Sequence, residues 1–186
     1  MEKISINVDS FSFLTEKELE KIDYNLRIVD KQKKVIMITS SVPKEGKSTI
    51  AFGIGKQLVK SKRSILYVAN ELPSWLGVSV SESHVCETDI EGFDLLISPE
   101  TEIVLSEYKE KYDYVLIDMP ALYVAKNAIL YTNICDLILL VVEANRCSKK
   151  EILGCKEELS VGVCKDIRVI LNKTKKSYGV LRNRKK

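Results

Sequence analysis

The stretch ITSSVPKEGKSTIAFG, Ile38 to Gly53, decides how this chain folds. An apolar run leads into it, a Gly-Lys-Ser-Thr turn sits inside it, and Ile50, Ile54 and Leu58 leave it at the i, i+4 spacing of a helix. Strand, loop and helix in that order surround one point with backbone N–H groups and the positive end of a helix, which is the environment a phosphate needs. Gly46 permits close approach of backbone to phosphate. Lys47 is placed to reach the β- and γ-phosphates, and the Ser48 hydroxyl to hold Mg²⁺. Measured against G-x-x-x-x-G-K-[ST], the first glycine is replaced by Ser41. A bare turn joining strand to helix explains neither the lysine nor the serine, so binding of ATP or ADP with Mg²⁺ is the expectation.

Outward from the loop, apolar runs of strand length alternate with helical patterns. The runs are VIMIT (Val35 to Thr39), SILYVA (Ser64 to Ala69), DLLIS (Asp94 to Ser98), YVLID (Tyr114 to Asp118), LILLVV (Leu137 to Val142) and IRVIL (Ile167 to Leu171). Runs without in/out alternation mark strands buried on both faces. A helical pattern runs through ETEIVLSEYKEKY between the third and fourth. Together these predict an α/β fold of three layers, a mostly parallel sheet with helices on both faces, as in a P-loop NTPase. No repeat or low-complexity linker divides the chain, so residues 1–172 are expected to form a single nucleotide-binding domain. Its first 34 residues are an N-terminal extension. In LTEKELEKIDYNLRIV, Thr15 and Glu18 make a capping box and Leu14 with Leu19 a hydrophobic staple, predicting a helix over about 15–27 that starts near Glu16. Its apolar residues Leu19, Ile22 and Leu26 can dock on the domain or on a neighbouring subunit of a homo-oligomer.

The chain has 186 residues, 45% hydrophobic and 30% charged, an ordinary globular balance able to bury a core without staples. Its longest apolar run, Leu137 to Val142, is far shorter than the roughly 20 residues a bilayer-spanning helix requires. The opening MEKISINVDS lacks the basic-then-apolar order of a secretory signal, and the expected location is cytoplasmic. Five cysteines without a C-x-x-C pair argue against a disulfide framework or a zinc site. His84 reads as a loop or surface residue, so any metal has to arrive with a nucleotide. The formal charge of +3 is uneven: from Lys173 onward seven basic residues and no acid make residues 173–186 a basic tail on a net acidic body. Such a tail is a solvated end or an attachment to the anionic inner face of a membrane, worth about 1 kcal/mol per basic side chain. No nucleic-acid partner is expected.

The form TSSVPKEGKSTIA closely resembles the Walker A loop of the bacterial tyrosine kinases, the BY-kinases of capsule and exopolysaccharide assembly, which reads Ser-Ser-x-Pro-x-Glu-Gly-Lys-Ser. Serine at the first glycine position is usual there. The resemblance implies that Ser41, Pro43, Lys44, Glu45, Gly46, Lys47, Ser48 and Thr49 contact the nucleotide. It continues along most of the chain. YDYVLIDMPA (Tyr112 to Ala121) looks like the family's Walker B strand, and ICDLILLVVEANRCSKKEI looks like the next strand and helix. VILNK resembles the strand end whose asparagine, here Asn172, lies beside the base. A membrane polysaccharide co-polymerase is the partner implied. The related Min and Par ATPases carry a signature lysine after the first loop position, where this chain has Val42.

Phosphoryl transfer needs carboxylates to hold Mg²⁺ and to accept the hydroxyl proton. Asp118 ends an apolar strand at the edge where open α/β sheets bind ligands, so it is a candidate catalytic and metal residue; the plainer alternative is a cap for the following turn. The family's second acidic station is a strand ending in Asp-x-Asp followed by Arg. The matching stretch LYVANELPSW places Ala69 at the first aspartate, Glu71 at the second and Pro73 at the arginine. Glu71 keeps a charge for metal or catalysis on a longer arm, whereas Ala69 can neither hold a magnesium water nor take a proton. Asn127 stands where the family often has an aspartate, and Lys21, Tyr24 and Arg27 stand in place of its ring-forming Glu-x-x-Arg-x-x-Arg. The autophosphorylated tyrosine cluster is missing, Tyr178 being the only tyrosine after Asn172; Tyr108, Tyr112 and Tyr114 read as packing residues. Three functions remain open: an ATP-binding BY-kinase-like protein with weak or lost kinase activity, a working autokinase relying on Glu71, Asp118 and Lys47, or a Min/Par-type positioning ATPase, which Val42 disfavours.

Overall fold

Six parallel strands line up at the centre of the chain, in an order that leaves the phosphate loop at a strand's carboxyl end. The computed structural model describes residues 4–6, 16–29, 32–70, 72–76, 85–97, 105–125 and 128–174. The elements are α1 (Glu16–Tyr24), β1 (Val35–Ser40), α2 (Lys47–Lys60), β2 (Ile65–Ala69), β3 (Val85–Glu87), β4 (Phe93–Ile97), α3 (Leu105–Lys111), β5 (Tyr114–Asp118), α4 (Ala128–Tyr131), β6 (Leu137–Glu143), α5 (Lys149–Leu159) and β7 (Ile167–Asn172). They form one seven-stranded sheet in the order β3-β4-β2-β5-β1-β6-β7. Every pair is parallel except β3 on β4. Each of the six apolar runs is a strand, and β1, β2 and β5 are buried along their whole length, as runs without alternation require.

Side chains alternate between two cores. One face of the sheet carries Ile36, Ile38, Tyr67, Leu116 and Leu139 against Ile50, Phe52, Ile54 and Leu58 of α2, with Leu19 and Ile22 of α1 and the following Leu26 added to it. The other carries Met37, Val68, Ile117 and Leu140 with Tyr108 of α3, Tyr131 of α4 and Leu159 of α5. Helices therefore cover both faces. The N-terminal helix docks on the domain itself: buried Asp23 accepts from Arg27 Nε at 2.9 Å and from Ser61 Oγ at 3.1 Å, tying α1 to the end of α2. A π-helical turn, Asn25–Val29, carries the chain onward. The Thr15 cap and the Leu14 staple lie outside the described residues.

Two features extend beyond the sequence expectations. Strand β3 is only three residues long and pairs antiparallel through Val85–Leu96, Cys86–Leu95 and Glu87–Asp94, too short to show a period. Ile4 then bridges Thr88 in parallel, donates its N–H to the Glu87 carbonyl and accepts from the Asp89 N–H, while the Asp89 carboxylate accepts from Ser5 Oγ and the Ile6 N–H. Residues 4–6 thus occupy an edge that would otherwise present unpaired backbone groups. Among the described residues no helix is long and apolar enough to cross a membrane.

Beneath α2 three aromatic rings interlock: Phe52 lies 4.9 Å from Phe93 and edge-on to Tyr67 at 5.9 Å, and Tyr67 stacks on Phe93 at 6.0 Å. Gly55 lets the helix sit this close, because a Cβ there would stand 2.6 Å from Phe93 Cε2 and 3.3 Å from Leu116 Cδ1. Phe93 is fully buried between its two ring partners and has nowhere to move. Gly55→Val is expected to lose about 1–3 kcal/mol to overpacking. Chemical denaturation checks this by a lower midpoint; an unchanged midpoint would show that α2 has slack against the sheet.

Candidate nucleotide-binding site

The loop between β1 and α2 is held from within by Glu45. Its carboxylate is fully buried and accepts from Ser41 Oγ at 2.8 Å, from the Val42 N–H at 2.9 Å and from the Glu143 N–H at 2.9 Å. Burial pushes the Cys147 thiol up and keeps it protonated, and it donates at 3.6 Å to Glu45 Oε1, the same oxygen that accepts from the Glu143 N–H. The loop is also fastened from outside. Asn172 Nδ2 donates to the Glu45 carbonyl at 2.8 Å, and Lys173 Nζ donates to the Lys44 carbonyl and pairs with Glu143, each at 2.9 Å. Lys44 and Gly46 both have positive φ, +68° and +94°. A Cβ on Gly46 would lie 2.3 Å from Asn172 Nδ2, so both the backbone angle and the space require glycine.

Helix α2 opens at Lys47 directly behind Gly46, without a side-chain cap, leaving its first N–H groups free of a side-chain partner from Gly46. Lys47 Nζ donates to Ser48 Oγ at 3.2 Å. On the same face, at the end of β5, Asp118 is buried, with one carboxylate oxygen accepting from Tyr67 Oη at 2.7 Å. The other oxygen, Oδ1, is buried without a hydrogen-bond partner among the described residues. Burial holds the Asp118 carboxyl above its ordinary range, while the positive charge of Lys47 and the nearby Ser48 and Tyr67 hydroxyls work in the opposite direction. An unsatisfied buried carboxylate oxygen beside a lysine and a serine hydroxyl fits a hydrated Mg²⁺, which supplies the missing partner. Among the described residues no three His, Cys, Asp or Glu side chains gather as a metal site. A cation here needs further oxygens from a bound phosphate.

Ser41, Glu45, Gly46, Lys47, Ser48 and Thr49 are brought together with Asp118 and Asn172, and Pro43 and Lys44 form the exposed crown of the loop. Two side chains have work different from that expected. The carboxylate of Glu45 faces inward, leaving only its backbone N–H for a phosphate, and the Asn172 amide is engaged by the loop carbonyl. Asp118 does not cap the following turn through Oδ1, which has no partner. Tyr112 and Tyr114 are packing residues as read: Tyr114 is buried, and Tyr112 Oη donates to Asp94 at 2.7 Å. Glu71, Asn127, His84 and the tail from residue 175 lie outside the described residues. Sequence reasoning missed Tyr67, Glu143 and Cys147. Tyr67 was visible as the one hydroxyl-bearing aromatic in an aliphatic strand, where it reads simply as a strand former.

No protein-family model matches the chain. Among known proteins it is similar to the tyrosine-protein kinase CpsD of Streptococcus agalactiae, at 23% identity over 197 residues covering 88% of this chain and 84% of that protein. Its fold is similar to the kinase domain of Escherichia coli tyrosine kinase ETK, with a TM-score of 0.72 at 17% identity over 86% of this chain and 76% of the other. MinD in the MinC:MinD cell division protein complex of Aquifex aeolicus is also a structural neighbour, with a TM-score of 0.60 at 21% identity over 76% of this chain and 69% of the other. Homologues are thus tyrosine-protein kinases, and the fold is that shared by BY-kinase domains and MinD-like ATPases.

Ionised Asp118 is a liability to the nucleotide-free fold. Its folded pKa is raised above the unfolded value, so the penalty is absent below the unfolded pKa and grows as pH rises through the folded one. Asp118→Asn keeps an oxygen for the Tyr67 hydroxyl. It is expected to raise the melting temperature of the nucleotide-free protein at neutral pH by about 2–4 °C, on the order of 1 kcal/mol for a chain of this size, with the gain vanishing at acid pH. Thermal melts of both proteins across that range measure it, and equal stability at neutral pH would remove the burial penalty.

Proposed function

We propose that this chain is an ATP-binding, BY-kinase-like protein of capsular or exopolysaccharide assembly whose tyrosine kinase activity is weak or lost. The observation that carries the reading is the register of β2 and β5, which sets Ala69 directly opposite Asp118. Lys47, Ser48, Gly46 and the N–H groups at the start of α2 converge where the phosphates belong. The position opposite the surviving carboxylate holds a methyl group. Ser48 and Asp118 are the described residues that would hold Mg²⁺, which supplies charge neutralisation to the phosphates when bound. Lys47 adds a second positive charge there. Residues 1–172 act in this reading as one nucleotide-binding domain, cytoplasmic, with Glu71 the remaining acidic candidate.

Calorimetry with Mg-ADP should show binding that Lys47→Ala removes. Turnover should be slow, with ATP hydrolysis and tyrosine phosphorylation rising on the order of 10²-fold in Ala69→Asp, the lower range of a general-base contribution, and falling in Asp118→Ala. The assay is run with and without the cytoplasmic segment of a membrane polysaccharide co-polymerase, the partner this reading assigns. Brisk wild-type autophosphorylation with that segment, unaltered by Ala69→Asp, would replace the reading by a working kinase.

Lys173 is engaged by the Lys44 carbonyl and Glu143, so the basic residues from Lys175 onward are the ones assigned to peripheral contact with an anionic membrane. Exposed charges are screened over about 8 Å at physiological salt, so sedimentation with anionic liposomes should weaken steeply as salt rises. Equal sedimentation of a chain truncated after residue 174 would discard that role.

A further inference from the structure

We propose that Tyr67 is a positioning residue for Asp118, holding one carboxylate oxygen so that the other is presented to the cation of a bound nucleotide. The proposal rests on the nucleotide-binding reading above and concerns a residue that reading does not use. Tyr67 and Ala69 lie on the same face of β2, and the sheet register pairs Tyr67 with Leu116 and Ala69 with Asp118. To reach Asp118, the Tyr67 hydroxyl has to climb two residues along the sheet, about 7 Å at strand rise, roughly the length of a tyrosine side chain. The short side chain of Ala69 leaves that ground open. The hydroxyl arrives 2.7 Å from Asp118 Oδ2, while Oδ1 remains without a partner.

The ring is fixed for this work. It is fully buried, stacked on Phe93 and met edge-on by Phe52, so strands β2 and β4 and helix α2 all determine where its oxygen lies. The phenol is the donor of this hydrogen bond, and the Asp118 oxygen accepts. Two carboxylate oxygens thus have different fates. One is engaged by the Tyr67 hydroxyl, and the other has no hydrogen-bond partner among the described residues. Hydrogen bonds to a metal-ligating carboxylate typically change metal affinity 10–100-fold when removed. Ring packing alone would not produce such an effect.

Tyr67→Phe in the full chain keeps the ring and deletes the hydroxyl. ADP affinity is measured by calorimetry in EDTA, and the Mg²⁺ affinity of the ADP complex by titrating Mg²⁺ at saturating ADP. The expected result is unchanged ADP affinity in EDTA with Mg²⁺ affinity reduced about tenfold or more. A second pair, Asp118→Asn with and without Tyr67→Phe, closes a double-mutant cycle, and the Tyr67 effect on Mg²⁺ should vanish in the Asn background. That pair also serves if Tyr67→Phe alone folds poorly, because the Asn variant lacks the buried charge. Wild-type Mg²⁺ affinity in Tyr67→Phe, or an undiminished Tyr67 effect in the Asn background, overturns the positioning role while leaving nucleotide binding intact. Absence of ADP binding by the wild-type chain in both conditions overturns the nucleotide reading together with this one.

Discussion

A carboxylate buried at the base of the phosphate loop sets the shape of everything around it. Removing Glu45 from water costs several kcal/mol unless donors replace the lost hydration. Here they come from three directions: the loop's own Ser41 hydroxyl and Val42 N–H, the Glu143 N–H at the end of β6, and the Cys147 thiol ahead of α5. The loop conformation is therefore tied to the neighbouring strand. This explains the serine at a position where phosphate loops carry glycine. Glycine at 41 would subtract a donor from a buried charge, and a bulkier residue would not fit a position this enclosed.

The elements with a period were legible in the sequence. Uninterrupted apolar runs all became strands, and β1, β2 and β5 are buried on both faces as such runs predict; β7 departs from that expectation, because it lies at the sheet edge with Val169 and Leu171 exposed. Leu19, Ile22 and Leu26 were legible as an apolar face, but sequence spacing carries no information on whether such a face meets its own domain or another subunit. The buried Asp23–Ser61 bond decides that by anchoring α1 to α2. Strand β3 was not legible, since three residues contain no period. The capping box at Ser148 and Glu151, which starts α5, was written in the sequence as S-x-x-E and simply not used.

In the site, residue types were legible and partnerships were not. Gly46, Lys47, Ser48 and Asp118 announce their chemistry by identity and order. Glu45 and Asn172 do not, because the direction a side chain faces depends on what the far strands supply: Glu143 lies 98 residues from Glu45, and Asn172 lies 127 residues from it. Tyr67 shows the same limit. Nothing in ILYVA says that its oxygen ends beside Asp118, 51 residues away.

Ala69 and Tyr67 then belong to one physical argument. Two carboxylates facing each other across β2 and β5 would repel, and each would raise the other's pKa, unless a cation kept them both ionised. With alanine at 69 that repulsion is gone, and the remaining carboxylate acquires a neutral phenol as its neighbour. A hydrogen bond from a buried donor stabilises the ionised form of Asp118 without offering a second metal ligand or a second base. Such a pair suits a site that holds a nucleotide in a defined state more than one that turns it over. In the proposed reading, binding draws on the charge and geometry of the loop and Asp118, and slow turnover follows from the methyl group that stands at 69 in place of a second proton acceptor.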